Sequence, residues 1–259
     1  MKKIVTTFAL LALGFAFAAT PSMAAPLVFD SFTYPNGDLV PNGGWANYSG
    51  ATADIQVSGG KAVVTPANAN DDHILFAVQP VTGKTYACFD VTVAPFAGQP
   101  KPVYFAELKD AGAASLVSRT YVLPLAAGGW TFGISHSSTS ATAGVTPWTA
   151  ALSTGVTYHL VINYDPNNKT STLWVNPINE ASSSVSNTNA AIAALAVQGF
   201  GLRQSTTAST LPASPPYTGT ADVNVSVDNL GIANNFSDAC DLSTPATPKT
   251  WGAVKGMYR

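Results

Sequence analysis

The amino-acid sequence predicts an all-β fold in which two antiparallel sheets pack face to face as a single sandwich domain. Short runs rich in Val, Ile, Thr, Tyr and Phe recur between clusters of Gly, Pro, Asn and Ser, which is the pattern of an antiparallel sandwich. Many of these runs alternate apolar and polar residues, as strands with one buried face do. Helical signals are sparse, and an Asn cap before the Ala-rich run at Asn189–Val197 predicts two turns at most.

Predicted strands follow one another along most of the chain. In chain order they are Leu27–Thr33, Asp54–Thr65, His73–Val78, Thr85–Ala94, Val103–Leu108, Ser115–Leu125, Trp130–Ser135, Thr157–Asp165, Thr170–Asn176, Gly199–Gln204 and Asp222–Ile232. Two long stretches rich in Ser, Thr and Pro, at 136–155 and 205–221, are predicted as surface loops.

The segment Asp54–Thr65 is predicted as a hairpin. A Gly59-Gly60 pair at its centre suits the positive φ angles of a two-residue primed turn. This turn places Val57 opposite Ala62 on the face that is directed at the core.

A second hairpin is predicted from the segment "YHLVINYDPNNKTSTLWVNP", residues 158 to 177. Matching the apolar sets of its two strands pairs Ile162 with Leu173 and Leu160 with Val175. The same register closes the hairpin with the four-residue loop 166–169, which is a common length. Apolar pattern and loop length therefore predict one register.

This register directs Trp174 away from the main core. Its predicted neighbours on that face are His159, Val161, Asn163, Thr172 and Asn176. The indole could stack on a sugar while the polar side chains bind hydroxyl groups. The alternative is that a long loop covers the ring and that Trp174 is structural.

The first 24 residues are predicted to be a secretory signal peptide. Lys2 and Lys3 precede an apolar run, and Ser22-Met23-Ala24 has the pattern of a cleavage site, with small residues at its first and third positions. The run is shorter than the about 20 residues of a membrane span, and no later segment is longer. We therefore expect an exported protein without a transmembrane segment, with a sandwich at 25–238 and a Pro-containing linker and tail at 239–259.

The charge pattern argues against a nucleic-acid partner. Only 10% of the residues are charged, and the formal net charge is −2. Lys and Arg are scattered until the C-terminal tail, whereas nucleic-acid binding needs a basic patch.

The cysteine content predicts one disulfide. Cys88 and Cys240 are the two cysteines of the chain, and an even number in an oxidising compartment favours pairing. The pattern of the surrounding strand directs Cys88 away from the core, so a bridge would hold the C-terminal segment on the outside of a sheet. The alternative is two free thiols.

Four segments resemble a known class of proteins. "FDSFTYPNGDLVPNGGW", "YHLVINYDPNNKTSTLWVNP", "GFGLRQ" and "VSVDNLGIANNFSD" are similar to segments of the bacterial secreted jelly-roll domains of the concanavalin A-like lectin/glucanase (laminin-G-like) type. The resemblance covers 27–238 and implies two curved antiparallel sheets, with glycan binding on the concave face in many members. It implies no single activity, because some members are glycosidases and others are surface modules.

The sequence lacks the acid pattern of the glycosidase members. Their catalytic strands carry carboxylates at alternate positions, one as nucleophile and one as acid/base. Here Glu107 and Glu180 are the two glutamates, and neither has an acidic neighbour two residues away. Asp71 and Asp72 are adjacent, so a strand would direct them to opposite faces.

Histidine chemistry is not predicted either. His73 and His159 are isolated in sequence, and the three histidines lack zinc-ligand spacing. His136 ends a predicted strand and is interpreted as a hydrogen-bonded surface residue.

A structural calcium ion is the one cofactor that the sequence suggests. Jelly rolls of the resembled type often hold Ca²⁺ between the first and last strands, where Asp30 and Asp228 would lie. The alternative is that both carboxylates accept hydrogen bonds from turn N–H groups.

The C-terminal tail changes character after Pro245 and Pro248. Trp251 and Val254 have helical spacing, and Lys255 and Arg259 lie on the other side. So short a helix needs a surface to dock on, and the hypothesis is that the tail serves self-assembly or export machinery. The alternative is docking on its own domain or fraying.

The sequence therefore predicts a secreted, non-catalytic module that binds a glycan or surface polymer through its concave face. The first alternative is a structural or assembly component of the cell surface or an extracellular filament. A further alternative is a glycoside hydrolase with an unusual site.

Overall fold

The computed structural model describes residues 26–241 apart from 51, 67–69, 137–143, 206, 210 and 212–216. The predicted signal peptide and the segment Trp251–Arg259 lie outside the described residues. No helix in the described part of the chain has the length and hydropathy of a membrane span.

Strands account for most of the regular structure. In chain order they are β1 (Val28–Asp30), β2 (Gly37–Asp38), β3 (Trp45–Ser49), β4 (Gln56–Val57), β5 (Ala62–Val64), β6 (Asp71–Leu75), β7 (Thr85–Val93), β8 (Val103–Lys109), β9 (Leu116–Pro124), β10 (Trp130–Ser135), β11 (Thr146–Pro147), β12 (Thr157–Asp165), β13 (Thr170–Val175), β14 (Ser184–Thr188), β15 (Gly199–Leu202) and β16 (Val225–Ala233). A 3-10 turn lies at Asn42–Gly44, and helix α1 is Phe236–Cys240.

These strands form two antiparallel sheets within the described residues. The nine-stranded sheet has the order β14-β13-β12-β7-β16-β5-β4-β2, with β1 paired to β16. The seven-stranded sheet has the order β11-β10-β9-β8-β15-β6-β3. The predicted fold class, a single two-sheet jelly-roll sandwich, is confirmed.

The core lies between the two sheets and takes alternate side chains from each. Phe89 of β7 and Phe200 of β15 meet across the interior with ring centroids 5.3 Å apart. Leu160 and Ile162 of β12 are completely buried in the same core, as is Phe132 of β10. Each such side chain stabilises the fold by about 1.5–3 kcal/mol through removal of apolar area from water.

Both predicted hairpin registers are confirmed. Val57 pairs with Ala62 across the Gly59-Gly60 turn, where both glycines have positive φ angles. In the β12–β13 hairpin, Ile162 pairs with Leu173 and Leu160 with Val175.

The segment Asn189–Val197 forms a short turn and then irregular chain rather than the predicted helix. Its backbone is bonded to distant groups instead. The Leu195 N–H donates to the Tyr164 hydroxyl at 2.7 Å, and the Ala190 carbonyl accepts from Lys169 Nζ at 2.7 Å. These tertiary partners outweigh the helix propensity of alanine.

Four short strands were not predicted, namely β2, β3, β11 and β14. They are two to five residues long, and β14 ("SVSNT") has one apolar residue. Neighbouring strands hold them in place, so their own sequences carry little periodic signal.

Helix α1 covers part of the outer side of the nine-stranded sheet. Asn235 caps its N-terminus by accepting the Asp238 N–H at 2.8 Å. Phe236 and Ala239 pack with sheet residues into a small second core, which we call the outer cluster. Its members are Tyr86, Cys88, Val161, Trp174, Ala233, Phe236 and Ala239.

The predicted disulfide joins Cys88 of β7 to Cys240 of α1, with a Cα–Cα distance of 5.3 Å. The bridge holds the helix on the outside of the sheet, where the alternation of β7 directs Cys88.

Candidate functional site

The structure corrects the interpretation of Trp174 as a binding platform. The residue does point away from the main core, as its register requires, but only 4% of it is exposed. Its ring packs edge-on against Phe236 at 5.6 Å, and its Nε1–H donates to the Glu180 carbonyl at 3.2 Å. Helix α1 and the outer cluster occupy the face on which a sugar would have stacked.

The other residues predicted for that face do not form an open groove. Val161 is completely buried, and the Asn163 side chain accepts the Thr172 N–H at 3.2 Å. Asn176 is exposed and accepts the His159 N–H at 2.8 Å. The polar groups of this face therefore bind each other across the sheet.

Asp30 and Asp228 lie on the neighbouring strands β1 and β16, as the calcium hypothesis required. The Asp30 carboxylate accepts three hydrogen bonds, from the Phe32 N–H at 2.7 Å, the Tyr34 hydroxyl at 3.0 Å and Trp45 Nε1 at 2.7 Å. Asp228 accepts the N–H of the residue that follows it. The bonds from the two backbone N–H groups are those of the alternative, in which both carboxylates accept turn N–H groups, whereas Tyr34 and Trp45 donate to Asp30 through their side chains. Calcium stays a prediction.

His136 is buried inside the sandwich rather than at the surface. Its Nδ1 lies 3.0 Å from Ser171 Oγ, and its ring stacks on Tyr164. Burial lowers the pKa of His136 to about 4, so the imidazole is neutral at pH 7 and serves as a hydrogen-bonding group within the sandwich.

The seven-stranded sheet carries a connected set of ionisable side chains on the face opposite the core. We call this set the polar cluster. Its members are Tyr48, Asp71, His73, Tyr104, Glu107, Lys109, Arg119, Tyr121 and Arg203. None of its members was predicted to be functional from the sequence.

Strand alternation and a bulge place these side chains together. Asp71 and His73 on β6, Glu107 and Lys109 on β8, and Arg119 and Tyr121 on β9 are pairs two residues apart, so each pair shares a face. The pairing of β8 with β9 is irregular after Tyr104, which opposes Tyr121. Phe105 and Ala106 are both core residues, so the irregularity brings Tyr104 to the same face as Glu107.

Glycines of β15 make room for the central side chains. A Cβ on Gly201 would lie 2.3 Å from Glu107 Oε1, and a Cβ on Gly199 would lie 3.2 Å from Lys109 Cγ. Strand glycines commonly mark such a close approach. The Glu107 and Lys109 side chains therefore lie across β15.

Glu107 lies at the centre of the cluster and is completely buried. The Tyr48 hydroxyl donates to Glu107 Oε1. Burial raises the pKa of Glu107, and burial together with the charge of Glu107 raises the pKa of Asp71 to about 7. Two carboxyl groups thus hold protons more strongly than usual, since the low-dielectric surroundings disfavour their charged forms.

Lys109 and His73 form a hydrogen-bonded pair beside this acid. The Lys109 Nζ lies 2.9 Å from His73 Nδ1 and 4.3 Å from the centre of the Tyr48 ring. Burial lowers the pKa of Lys109, and burial with the charge of Lys109 lowers the pKa of His73 to about 4. The imidazole is therefore neutral at pH 7.

Two guanidinium groups border the acid on the other side. Arg119 and Arg203 lie against the Tyr104 ring, at 4.9 Å and 4.3 Å from its centre. Among the residues that the structure describes, Glu107 Oε2, Arg119 Nε and Nη2, and Arg203 Nη1 are buried without a hydrogen-bond partner. Native proteins rarely leave such groups unpaired, so this part of the cluster has capacity to bind a ligand.

The polar cluster combines groups that can transfer protons with groups that can hold an acid. Tyr48, Tyr104 and Arg203 are partly exposed, whereas Glu107, Lys109 and Arg119 lie beneath them. Perturbed pKa values that cluster on one face are a common property of active sites.

Fold and geometry together define a jelly-roll β-sandwich with ionisable groups gathered on one sheet. No protein family and no curated protein matches the sequence. Solved structures do match the fold. Alginate lyase Aly36B is similar at a TM-score of 0.53 and 14% identity, over 81% of this chain and 97% of that chain.

Two variants of that enzyme in complex with alginate oligosaccharides are similar as well. The trisaccharide complex has a TM-score of 0.54 and 13% identity, over 83% of this chain and 100% of that chain. The tetrasaccharide complex has a TM-score of 0.54 and 13% identity, over 82% and 98%. At these identities the similarity establishes a shared fold.

The comparison contradicts the prediction of a non-catalytic binding module. The three structures named above are all of alginate lyase Aly36B, two of them in complex with alginate oligosaccharides, so this finding favours the alternative of an enzyme over a binding module. The sequence does carry a signal for the polar cluster, but this signal differs from the pair of carboxylates that was sought. It was the repeated occurrence of mixed ionisable pairs, such as Glu107 and Lys109, on neighbouring strands, whereas the expected signal was a pair of carboxylates.

Proposed function

We propose that the protein is a polysaccharide-degrading enzyme whose active site is the polar cluster. The observation that carries this proposal is the burial of connected acids, bases and guanidinium groups on one face of the seven-stranded sheet. Burying so many ionisable groups is costly for stability, and the unpaired atoms of Glu107, Arg119 and Arg203 indicate that pairing within the fold does not fully offset the cost.

The reaction that suits these groups is β-elimination in an acidic polysaccharide. In this reaction a base removes the proton next to the uronate carboxyl group, the bond to the leaving oxygen breaks, and that oxygen takes a proton. A C=C bond forms in the ring that loses the proton. The enzyme must neutralise the carboxylate and supply a base and an acid.

Arg203 and Arg119 are the groups that we assign to the uronate carboxylate. A guanidinium binds a carboxylate through parallel N–H donors, and both residues have N–H groups without partners. Both guanidinium groups contact the Tyr104 ring, which is partly exposed. A rotation of this ring would uncover Arg119 for the substrate.

Tyr48, His73 and Lys109 are the groups that we assign to proton transfer. His73 and Lys109 are hydrogen-bonded to each other. The pKa of His73, lowered to about 4 by burial and by the charge of Lys109, leaves its imidazole neutral and able to accept a proton. The Tyr48 ring stacks on His73 at 5.2 Å, and its hydroxyl carries the proton that the leaving oxygen needs.

Support for an acidic substrate comes also from the solved alginate lyase of the same fold and its oligosaccharide complexes. We therefore propose alginate, or another polymer of uronic acids, as the substrate class.

Glycoside hydrolysis is the second candidate, and Glu107 and Asp71 favour it. The raised pKa of both groups is what a general acid requires. Hydrolysis would need one of them to act as acid and the other as base or nucleophile.

An assay of the purified mature protein on alginate and on a neutral β-glucan tests the proposal. Elimination produces an unsaturated uronate with ultraviolet absorbance together with new reducing ends, whereas hydrolysis produces reducing ends alone. We expect both signals on the uronate polymer and neither on the neutral glucan. Reducing ends without absorbance would favour hydrolysis, and the absence of both signals on a panel of uronate polymers would refute the proposal.

We also propose that the enzyme acts outside the cytoplasm. The Cys88–Cys240 disulfide is typical of an oxidising compartment and supports the predicted export. Expression of the full chain followed by mass measurement of the secreted protein tests this, with cleavage after residue 24 or 25 as the expected result.

A further inference from the structure

Three metal-ligand atoms meet at the outer cluster, on the nine-stranded sheet. The Sγ atoms of Cys88 and Cys240 and a ring nitrogen of His159 lie within 4.8 Å of one another. The Nε2 of His159 is 3.0 Å from Cys88 Sγ. This set belongs to a different sheet from the polar cluster and has no part in the proposed reaction.

His159 is held in the orientation that a metal ligand needs. Asp90 Oδ1 lies 2.8 Å from His159 Nδ1, so the carboxylate accepts the Nδ1–H and leaves Nε2, the nitrogen beside the sulfur, with its lone pair. Asn229 in turn donates to Asp90 Oδ2 at 2.9 Å. A carboxylate behind a histidine is the usual outer shell of a protein metal site.

The backbone of β16 supports this arrangement. Asn229 has a φ of 51° and lies where the pairing of β16 with β7 shifts, between Asp228 and Gly231. This irregular pairing directs the Asn229 amide at Asp90. The contacts that run from His159 through Asp90 therefore end at a residue with a left-handed backbone conformation.

We propose that Cys88, Cys240 and His159 bind a zinc-like divalent ion when the disulfide is reduced. Reduction by a phosphine consumes one water, converts the bridge into two thiols and gives the phosphine oxide. The ion then replaces the two thiol protons, which are released to solvent, and the His159 nitrogen is the third ligand. Thiolate and imidazole are the ligands that zinc prefers, and three protein ligands leave its fourth position for water.

The ion can reach this position from solvent. The His159 side chain is 28% exposed, and Cys240 is partly exposed at the end of α1. The disulfide and the metal complex are alternative states of one site, because both use the same sulfur atoms.

Cobalt(II) provides the test, because it replaces zinc and gives thiolate-to-metal charge-transfer bands. The purified mature protein is reduced with a phosphine and titrated with cobalt, with near-ultraviolet circular dichroism as the measure of folding. We expect one cobalt per chain, bands of tetrahedral thiolate coordination and displacement of cobalt by zinc. Asp90→Asn should weaken binding by roughly 10- to 100-fold, and His159→Ala should weaken it at least as much.

His73→Ala, on the other sheet, is the matched control and should bind cobalt as the wild type does. The oxidised protein should show no bands. Absence of bands in the reduced wild type, equal affinity in His159→Ala, or bands that persist only in a chain that has lost its folded spectrum would each overturn the proposal. A failed polysaccharide assay would leave it unaffected, because the two sites share no residue.

Discussion

Glu107 is the residue around which the polar cluster is organised. It is fully buried beneath Tyr48, and Gly201 leaves the space for its carboxyl group. A strand in an ordinary sandwich exposes its outward side chains to water. The burial of this acid and of Lys109 beside it is therefore the clearest sign that the face has a specialised role.

Removal of one hydroxyl tests the proposed acid. Tyr48→Phe keeps the ring on His73 and removes the proton donor, so kcat on the uronate polymer should fall by roughly 100- to 10,000-fold. Tyr158→Phe is the matched control. Tyr158 lies on β12 of the nine-stranded sheet, and its hydroxyl accepts the Ser153 N–H. Similar losses of kcat in the two variants would contradict the role of Tyr48.

The pH dependence of stability tests the burial of Asp71. Its pKa is raised from 3.8 to about 7, so between these values the folded protein holds a proton that the unfolded chain has released. The resulting stability is complete below about pH 4 and is lost as the pH rises through 7. Asp71→Asn removes this loss. The difference in free energy of unfolding between Asp71→Asn and wild type should therefore shift in favour of the variant by more than about 1 kcal/mol as the pH rises from about 5 to about 8.

Urea unfolding at the two pH values measures this difference. A constant offset between the two proteins would arise from a changed strength of the hydrogen bond that the Gln204 N–H donates to this side chain and would contradict the raised pKa.

At the scale of elements, β15 makes room for the polar cluster because its outward residues are glycines. Its outward positions are Gly199 and Gly201, while Phe200 and Leu202 are buried in the core. The sequence "GFGL" therefore serves both faces of the sheet. A search for functional side chains does not detect its outward glycines, because glycine has no side chain.

Gly201→Ala tests this role. The new Cβ would meet Glu107 Oε1 at 2.3 Å and Lys109 Cδ at 3.2 Å, so both side chains must move. Overpacking of this kind costs about 1–3 kcal/mol, and we expect activity to fall further than stability does. Gly83→Ala is the control, because its nearest neighbour would be 3.9 Å away; thermal unfolding and the elimination assay compare the two.

Equal effects of the two glycine variants would show that the space over β15 is unimportant. Restoration of activity by Glu107→Ala in the Gly201→Ala background would show that Glu107 is dispensable for the reaction.

At the scale of the whole molecule, the two sheets have different outer faces. The nine-stranded sheet is covered in part by α1, which the Cys88–Cys240 bridge holds in place. The seven-stranded sheet carries the polar cluster. This division corrects the prediction that the Trp174 face is the binding face, since α1 covers that face.

Loss of the bridge should weaken the fold without changing the proposed active site. The bridge closes a sequence separation of 152 residues, and its removal in the double variant Cys88→Ala, Cys240→Ala should lower the free energy of unfolding by about 2–5 kcal/mol. Urea titration measures the loss. Activity of the folded double variant should match wild type, and a proportional loss of activity would contradict the separation of the two faces.

Sequence periodicity by itself determined the sandwich, the longer strands and the register of both predicted hairpins. It succeeded because alternation with period two and loop length are local properties, as at Ile162 and Leu173. It also assigned Trp174 correctly to the face away from the core.

Only the tertiary structure decided what covers each face and which distant side chains meet. The outward direction of Trp174 could not reveal that a five-residue helix, held by one sulfur bridge, would bury it. Strict alternation could not place Tyr104 beside Glu107, because an irregular strand pairing shifts the phase between them. Position within one strand is encoded locally, whereas burial and the assembly of a site depend on strands that are far apart in the chain.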